Sequence, residues 1–561
     1  MKNTAVILIF IIVLTGIAKG QNIDLLEKGL LPEFYVEVEC SRAELAEISR
    51  LFSVDKVSPG QSGNCRARIC LTQKDIVGFY ELGVPYTVIE GERAWVSMAG
   101  SYQELSSEWN RYPTYQAYLE TMAAFRDRYP GLCTIDTILS QTPENHSILC
   151  ARISSNVVEG GKPSIFYSST IHGDEVVGYY LLIRLIDKLL SEYSTNSAVR
   201  ELVDNNDIWI CPLHNPDGTY RTSDGQINTS PVSTRGNAHD VDLNRSFPLA
   251  GGVVAKSPEE PEVAAMTAFL ESHNFTVAAN LHGGAEVFNY PWDRWMSWQR
   301  RHADHEWWQY VGRGYADTCH AFSQNYMTDV DNGVTNGGDW YIIEGSMQDY
   351  HNYYHGARHV TIEVSGDKVA PSYMLPYYWA YSSHSLMNFM KEAGNGIHGT
   401  VRDSLTGTPL KATVFIENHD IDNSHVATSM PHGDYHRPIK AGTYSVTYSS
   451  PGYLPKTVVA EVADGSRVNV DVELVRNTGI VSSAKGVKVY PNPAIGVCRV
   501  AFEGVGDAEA VLKMYDSSGR LLLEEQSRGS FDLNVTSCPS GVYSIVVERD
   551  GVTYRTRMVK L

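Results

Sequence analysis

From Phe34 to Cys40 every second residue is apolar (Phe34, Val36, Val38, Cys40), the period of a half-buried strand. Ser41-Arg42-Ala43-Glu44 then spells a capping box, and Leu45, Ile48 and Leu51 continue at helical spacing. A second strand is predicted near Arg66 to Leu71. Thr72 is placed as the cap of a second helix ending at Gly83, and Tyr86 to Ile89 returns as a strand. The order β-α-β-α-β predicts a small α/β unit over residues 21–105, an open sheet with helices on one face.

Residues 106–393 alternate strands and helices. The apolar run Ser164 to Ser169 is followed by a tight turn, then by a helix on which Leu182, Leu185, Ile186 and Leu189 form one apolar stripe. Ile208-Trp209-Ile210 and Val277 to Leu281 read as buried strands. Val360, Ile362 and Val364 alternate with Thr361, Glu363 and Ser365, so Glu363 is expected on the face away from the apolar side. Such alternation predicts an α/β domain, with functional groups beyond the carboxyl ends of the strands. Gly394 to Gly399 reads as a hinge into all-β sequence. Residues 394–478 and 479–561 are expected to be two small β-sandwich domains, with turns such as Leu405-Thr406-Gly407 and Asp516-Ser517-Ser518-Gly519 and a hairpin signal at Asp550-Gly551. Their histidines (His398, His419, His425, His432, His436) are expected to be solvated loop residues.

Composition narrows the class. At 561 residues the chain is too long for one core. A formal charge of −19 argues against nucleic acid or an anionic membrane as the partner. Lys2, the apolar run Ala5 to Ile17 and Ala18-Lys19-Gly20 read as a secretory signal over residues 1–20. That run is shorter than the ~20 residues a membrane span needs, so an exported chain without a transmembrane segment is expected. Nine cysteines in such a chain permit disulfides and leave an odd thiol. Cys133 with Cys150, flanking a hairpin, and Cys498 with Cys538 are possible pairings.

The candidate chemistry starts at Ile171-His172-Gly173-Asp174-Glu175. A His and a Glu three residues apart can share one divalent ion, and zinc suits a mixed nitrogen and oxygen set. A catalytic site needs a third ligand and an open position. His282, ending a predicted strand in Asn280-Leu281-His282-Gly283-Gly284, is the best third ligand, and His214 is its rival. Arg235 and Arg245 could grip a carboxylate. Glu363 is the candidate acid or base.

Six stretches carry a resemblance: His172 to Glu175, Asn215-Pro216-Asp217-Gly218, Asp242 to Pro248, Leu281 to Gly284, Gly345 to Tyr350 and Thr361 to Ser365. In this order, over roughly half the chain, they resemble the zinc metallocarboxypeptidases, and within them the regulatory branch of carboxypeptidases D, E, M and N. The resemblance implies a mixed-sheet α/β metallocarboxypeptidase domain. It implies one zinc ion per chain on His172, Glu175 and His282, the His₂Glu set of carboxypeptidase A, and no ligand role for His214. Glu363 would be the general base, Arg235 the oxyanion stabiliser, and Asn244 and Arg245 the grip on the substrate's terminal carboxylate. Tyr341 would close over the substrate. Asp293 and Gln348 would line the specificity pocket and favour Lys or Arg.

Residues 396–475 resemble the transthyretin-like sandwich that follows the peptidase in this branch. The last segment, with Tyr490-Pro491-Asn492-Pro493 and Gly541-Val542-Tyr543, resembles the C-terminal sorting domain of bacterial type IX secretion. That implies a Gram-negative source, a secreted or cell-surface protein, and the secretion machinery as a partner. The expected activity is removal of Lys or Arg from peptide and protein C-termini. Alternatives are peptidoglycan stem peptides or an amide as substrate, and a non-catalytic binding module. The front of the chain departs from the pattern, since the regulatory branch generally lacks a pro-domain. Residues 21–105 are expected to shield the cleft or to help folding.

Overall fold

The computed structural model describes residues 33–561 apart from 90–94, 156–160, 230–233, 252–259, 478–480, 483–486, 503–508 and 550–551. The secretory signal and the Asp550-Gly551 turn therefore lie outside the described residues.

The first unit contains β1 (Glu33–Cys40), α1 (Arg42–Leu51), β2 (Ser53–Pro59), β3 (Cys65–Thr72), α2 (Ile76–Glu81) and β4 (Tyr86–Ile89). Ser41 and Glu44 close the expected capping box. Two expectations fail. Thr72 does not cap α2: its hydroxyl and amide donate to Asp75, the residue at the N-cap. The element order is β-α-β-β-α-β, because Ser53–Pro59 is an unanticipated strand and the sheet runs β2-β3-β1-β4. Val54 faces Ile69 and Lys56 faces Arg68, so Asp55 is the extra residue of a bulge. A bulge breaks the two-residue rhythm on which a sequence-based strand assignment depends.

The central domain is built on an eight-stranded mixed sheet. Its strands are β5 (Cys133–Leu139), β6 (Ile148–Ile153), β7 (Ser164–Ser169), β8 (Asp207–Cys211), β9 (Phe275–His282), β10 (Ala285–Tyr290), β11 (Val334–Asn336) and β12 (Arg358–Ser365). They run in the order β11-β10-β12-β9-β7-β8-β6-β5. The four central strands β12, β9, β7 and β8 are parallel, and antiparallel strands flank them. Both faces are covered, so β9 and β12 are buried along their whole length. One face packs on α3 (Val177–Ser191), whose Leu182, Leu185, Ile186 and Leu189 are all in the core.

Two all-β regions follow. Gly396–Leu474 forms two four-stranded sheets around Ile397, Val414, Ile416, Val446 and Tyr448. Val481–Lys560 forms five- and three-stranded sheets. The first is tied to the central domain through Asp304. Its carboxylate accepts from Arg358 at 2.6 and 3.0 Å, from Arg437 at 2.9 and 3.0 Å, and lies 2.8 Å from His419 Nε2. The histidines of this region are not uniformly solvated. His432 is exposed, but His398 and His436 are buried with their Nδ1 atoms 2.8 Å apart, and His419 is engaged with Asp304.

The suggested Cys133–Cys150 bridge does not fit. Cys133 faces Ile153 across the hairpin, which puts Cys150 three positions away on the opposite face. At about 3.3 Å per residue the offset exceeds the reach of a disulfide. Cys498 and Cys538 stand as thiols in this structure, as do the other seven cysteines.

Candidate active site

The metal-ligating candidates come from the carboxyl ends of adjacent strands. β7 ends at Ser169, and the chain turns sharply through Thr170 at φ 58° to deliver His172 and Glu175 before α3 begins. His282 is the last residue of the neighbouring β9. Asn215, which precedes a short helix, donates to the carbonyls of Ile171 and Gly236, each at 3.2 Å, and so clamps the His172 loop to the Arg235 loop. Gly173 sits inside that clamp: a Cβ there would lie 2.4 Å from backbone atoms of Gly218 and Thr234, so a side chain is excluded.

His172, Glu175 and His282 converge, buried, with one ligand atom of each within 4.8 Å of the others. His282 Nδ1 lies 3.1 Å from His172 Nδ1 and 2.9 Å from Glu175 Oε2, and His172 Nδ1 lies 3.0 Å from Glu175 Oε1. The outward nitrogens are held by second partners, His172 Nε2 by Asp242 at 3.1 Å and His282 Nε2 by the Asn280 amide at 2.9 Å. Ligand histidines are oriented in this way. Burial pushes the His282 imidazole down to about 4, which keeps it neutral. Burial opposes ionisation of Glu175, yet His172 and Lys368 hold its carboxyl well below the usual range. Two imidazole nitrogens and a carboxylate facing one point fit zinc. His214 is buried nearby and stands outside this cluster.

Glu363 lies beside this point, paired in register with His282 on β12. Val360, Ile362 and Val364 enter the main core while Glu363 lines the cavity. Its Oε2 is buried and has no hydrogen-bond partner among the described residues. Burial, and then the carboxylates of Glu175 and Asp55, push its carboxyl well above the usual range. Arg235 donates from Nη1 to Glu175 at 3.1 Å and from Nε to Asp242 at 3.0 Å.

Around this centre the other expected residues assemble. Asn244 follows Asp242, whose Oδ1 accepts the Asn244 amide at 2.9 Å. Arg245 and Tyr341 line the same cavity. Asp293 is buried and accepts from Gln348 Nε2 at 2.9 Å and from Asn289 Nδ2 at 3.4 Å. Gln348 Oε1 in turn accepts the Thr361 amide at 2.5 Å, which ties the pocket to β12. Burial pushes Asp293 up to about 6, against the pull of Ser346 and Arg245.

Three residues of this site carry no assignment from sequence. Asp242 bridges His172 and Arg235; it lay inside a matching stretch, but nothing in spacing marks a bridging carboxylate. Lys368, five residues past Glu363, places its ammonium 3.1 Å from Glu175 and 3.2 Å from Asp174. Asp55 comes from β2 of the first unit and reaches Arg235 Nη1 at 3.0 Å, and it also pairs with Lys368.

Asp55 is one of several contacts from that unit. The Val54 carbonyl accepts from Arg245 Nη2 at 3.0 Å, Ser53 Oγ accepts from Arg235 Nε at 2.9 Å, and Tyr35 donates to Asp174 at 2.6 Å. Glu33 accepts the amides of Arg235 and Gly236. Trp340, Tyr341 and Ile343 share one apolar cluster with Phe34, Val36 and Val54. The cavity lined by His172, Glu175, Arg235, His282, Tyr341 and Glu363 is about 10 Å³, no more than a single water requires.

Three segments of the chain match known families. Residues 118–383 match the zinc carboxypeptidase family, residues 396–475 a carboxypeptidase regulatory-like domain, and residues 488–560 a secretion system C-terminal sorting domain. Carboxypeptidase D of Homo sapiens is 31% identical over 396 residues, taking in 68% of this chain and 28% of that protein. The carboxypeptidase N catalytic chain of Mus musculus is 33% identical over 358 residues, taking in 57% of this chain and 76% of that protein. The chain therefore spans little more than a quarter of the carboxypeptidase D it matches. The solved carboxypeptidase A from Helicoverpa armigera superposes with a TM-score of 0.47 at 17% identity, over 65% of this chain and 97% of that one. The sorting domain marks the chain for secretion and the cell surface. Among the described residues no helix is long and apolar enough to cross a membrane.

Proposed function

Because the chain belongs to the zinc carboxypeptidase family, we propose that it is a secreted, one-zinc peptidase that releases Lys or Arg from peptide C-termini and is held latent by its own first unit. The observation that supports the chemistry is the convergence of His172, Glu175 and His282 beside the Arg235 guanidinium and a Glu363 carboxylate whose Oε2 has no hydrogen-bond partner among the described residues. Zinc held there would polarise the scissile carbonyl and acidify water. Glu363 takes the proton from the attacking water and returns it to the leaving amine. Arg235 offers its guanidinium to the oxygen on which charge develops. Asn244 and Arg245 hold the terminal carboxylate, Tyr341 closes the site over it, and Asp293, braced by Gln348, pairs with a cationic side chain. The peptide's C-terminus is the partner of this site, and the sorting domain addresses the secretion machinery.

Latency is supported by what β1 and β2 occupy. Asp55 engages Arg235 and the Val54 carbonyl engages Arg245, so both arginines assigned to the substrate are already bound. The cavity among these groups, at about 10 Å³, has room for about one water as it stands.

The test is release of Lys, Arg, Phe or Ala from matched short peptides by the zinc-loaded protein. It is run with and without a chelator, before and after limited proteolysis removes the first unit. Chelator-sensitive release of Lys and Arg, much faster after removal, is expected. If neither form frees any C-terminal residue, the peptidase assignment is lost. If the intact chain is already fully active and the shortened one folds normally, latency is lost.

A further inference from the structure

We propose that Cys40 and Cys65 form a disulfide in the secreted protein, stapling β1 to β3 in the unit that covers the active site. The two residues are direct partners at the end of an antiparallel ladder, and their sulfurs are 4.0 Å apart as thiols. Residues directly opposed in such a ladder have Cβ atoms about 4.5–5.5 Å apart and Cα atoms about 4.5–5.5 Å apart. A disulfide spans Cα separations of about 4.4–6.8 Å and Cβ separations of about 3.5–4.5 Å, so the bond keeps the register and needs side-chain rotation with a small approach of the two Cβ atoms.

Facing selects this pair. Cys40 lies on the face of β1 that carries Phe34, Val36 and Val38, and Cys65 lies on the matching face of β3 with Ala67, Ile69 and Leu71. The unit's third cysteine, Cys70, is opposite Tyr35 on the other face, and its thiol donates to Glu33 Oε2 at 3.4 Å. An odd number of steps along β3 separates Cys70 from Cys65, so the pleat keeps it from either sulfur. The pairings considered from spacing alone overlooked this one, because 25 residues separate the two cysteines and only the β1–β3 register brings them together.

The oxidation is a thiol–disulfide exchange. One thiolate attacks a disulfide of an oxidising exchange partner, and the second then displaces that partner from the mixed disulfide. One S–S bond forms and one breaks; the two protons and two electrons leave on the partner, which departs as a dithiol. Such partners act in the oxidising compartments that exported proteins traverse. Burial and the neighbouring Cys65 push the Cys40 thiol up to about 12, so the attack belongs to folding, before the face is covered. Once formed, the bond closes a loop in the unfolded chain and stabilises the hairpin. β1 brings Glu33 and Tyr35 to the catalytic groups, and β3 holds β2 with Asp55. A link from the bond to latency rests on the proposed function, but the measurement below does not use activity.

Protein recovered from the secreted fraction is denatured with an alkylating agent and no reductant, digested, and analysed by mass spectrometry. The expected product is one peptide pair joined through Cys40 and Cys65, two hydrogens lighter than its parts and lost on reduction. Alkylation of both residues without reductant, or a bond from either to Cys70 or any other cysteine, overturns the proposal. Thermal unfolding is the second readout. Reductant should lower the melting midpoint of the first unit by at least about 5 °C and leave a Cys40→Ser/Cys65→Ser chain unchanged. Equal behaviour of the two proteins overturns it as well.

Discussion

Glu363 and Asp293 are both buried carboxylates, and their surroundings give them different work. Glu363 has an oxygen without a partner among the described residues, next to two imidazoles and a guanidinium. Glu363→Gln keeps the shape and removes the proposed base, so turnover should fall by about 10³-fold or more. Zinc content, measured by metal analysis of the purified variant, should remain at one per chain. A variant with near-normal turnover would move the base elsewhere. Asp293 accepts from Gln348 and Asn289 at Oδ1 and is pushed up to about 6 by burial. Only its ionised form can pair with a Lys or Arg side chain. The ratio of kcat/KM for an Arg-ended over a Phe-ended peptide should therefore be highest above pH 6 and decline as the pH drops through about 6. Asp293→Ala should flatten that profile and lose the basic preference while keeping residual activity.

At the scale of the element, the decisive piece is β2. Its sequence, Ser53-Val-Asp-Lys-Val-Ser-Pro59, has two apolar residues and ends in proline, and its bulge at Asp55 destroys the alternation. The same bulge aims Asp55 at Arg235 and Lys368. A local irregularity that hid the strand from pattern reading thus creates its contact with the catalytic groups. Asp55→Asn retains the shape and removes the charge that pairs with both cations. In the otherwise intact chain it should raise the initial rate of Arg release severalfold, and limited proteolysis should clip the first unit faster. An unchanged rate would place the latch in Glu33, Tyr35 or the apolar cluster instead. The strands that lead to His172 and His282 were legible for the opposite reason: β7 and β9 are mostly apolar and buried almost throughout, and end at Ser169 and His282, as expected of covered parallel strands.

At the scale of the molecule, the Asp304 cluster joins the first all-β region to the base of the strand that carries Glu363. Arg358 opens β12, and Arg437 belongs to the β-sandwich; both are fully buried against one carboxylate. Asp304→Ala would leave two guanidinium groups without that carboxylate, and removing one partner of a buried pair costs about 3–5 kcal/mol. The denaturation midpoint of the central domain and sandwich should fall together, and separate unchanged transitions would show that the cluster does not couple them. By itself the sequence determined the domain order, the sheet class and the small set of residues able to bind zinc or take a proton, because periodicity and residue chemistry are local properties. It did not determine that Asp242 and Lys368 join the site, that Cys40 faces Cys65, or that Asp55 pairs with Arg235 and Lys368. Those depend on strand register and on the docking of one unit against another, where residues tens to hundreds of positions apart become neighbours through burial of a shared apolar face.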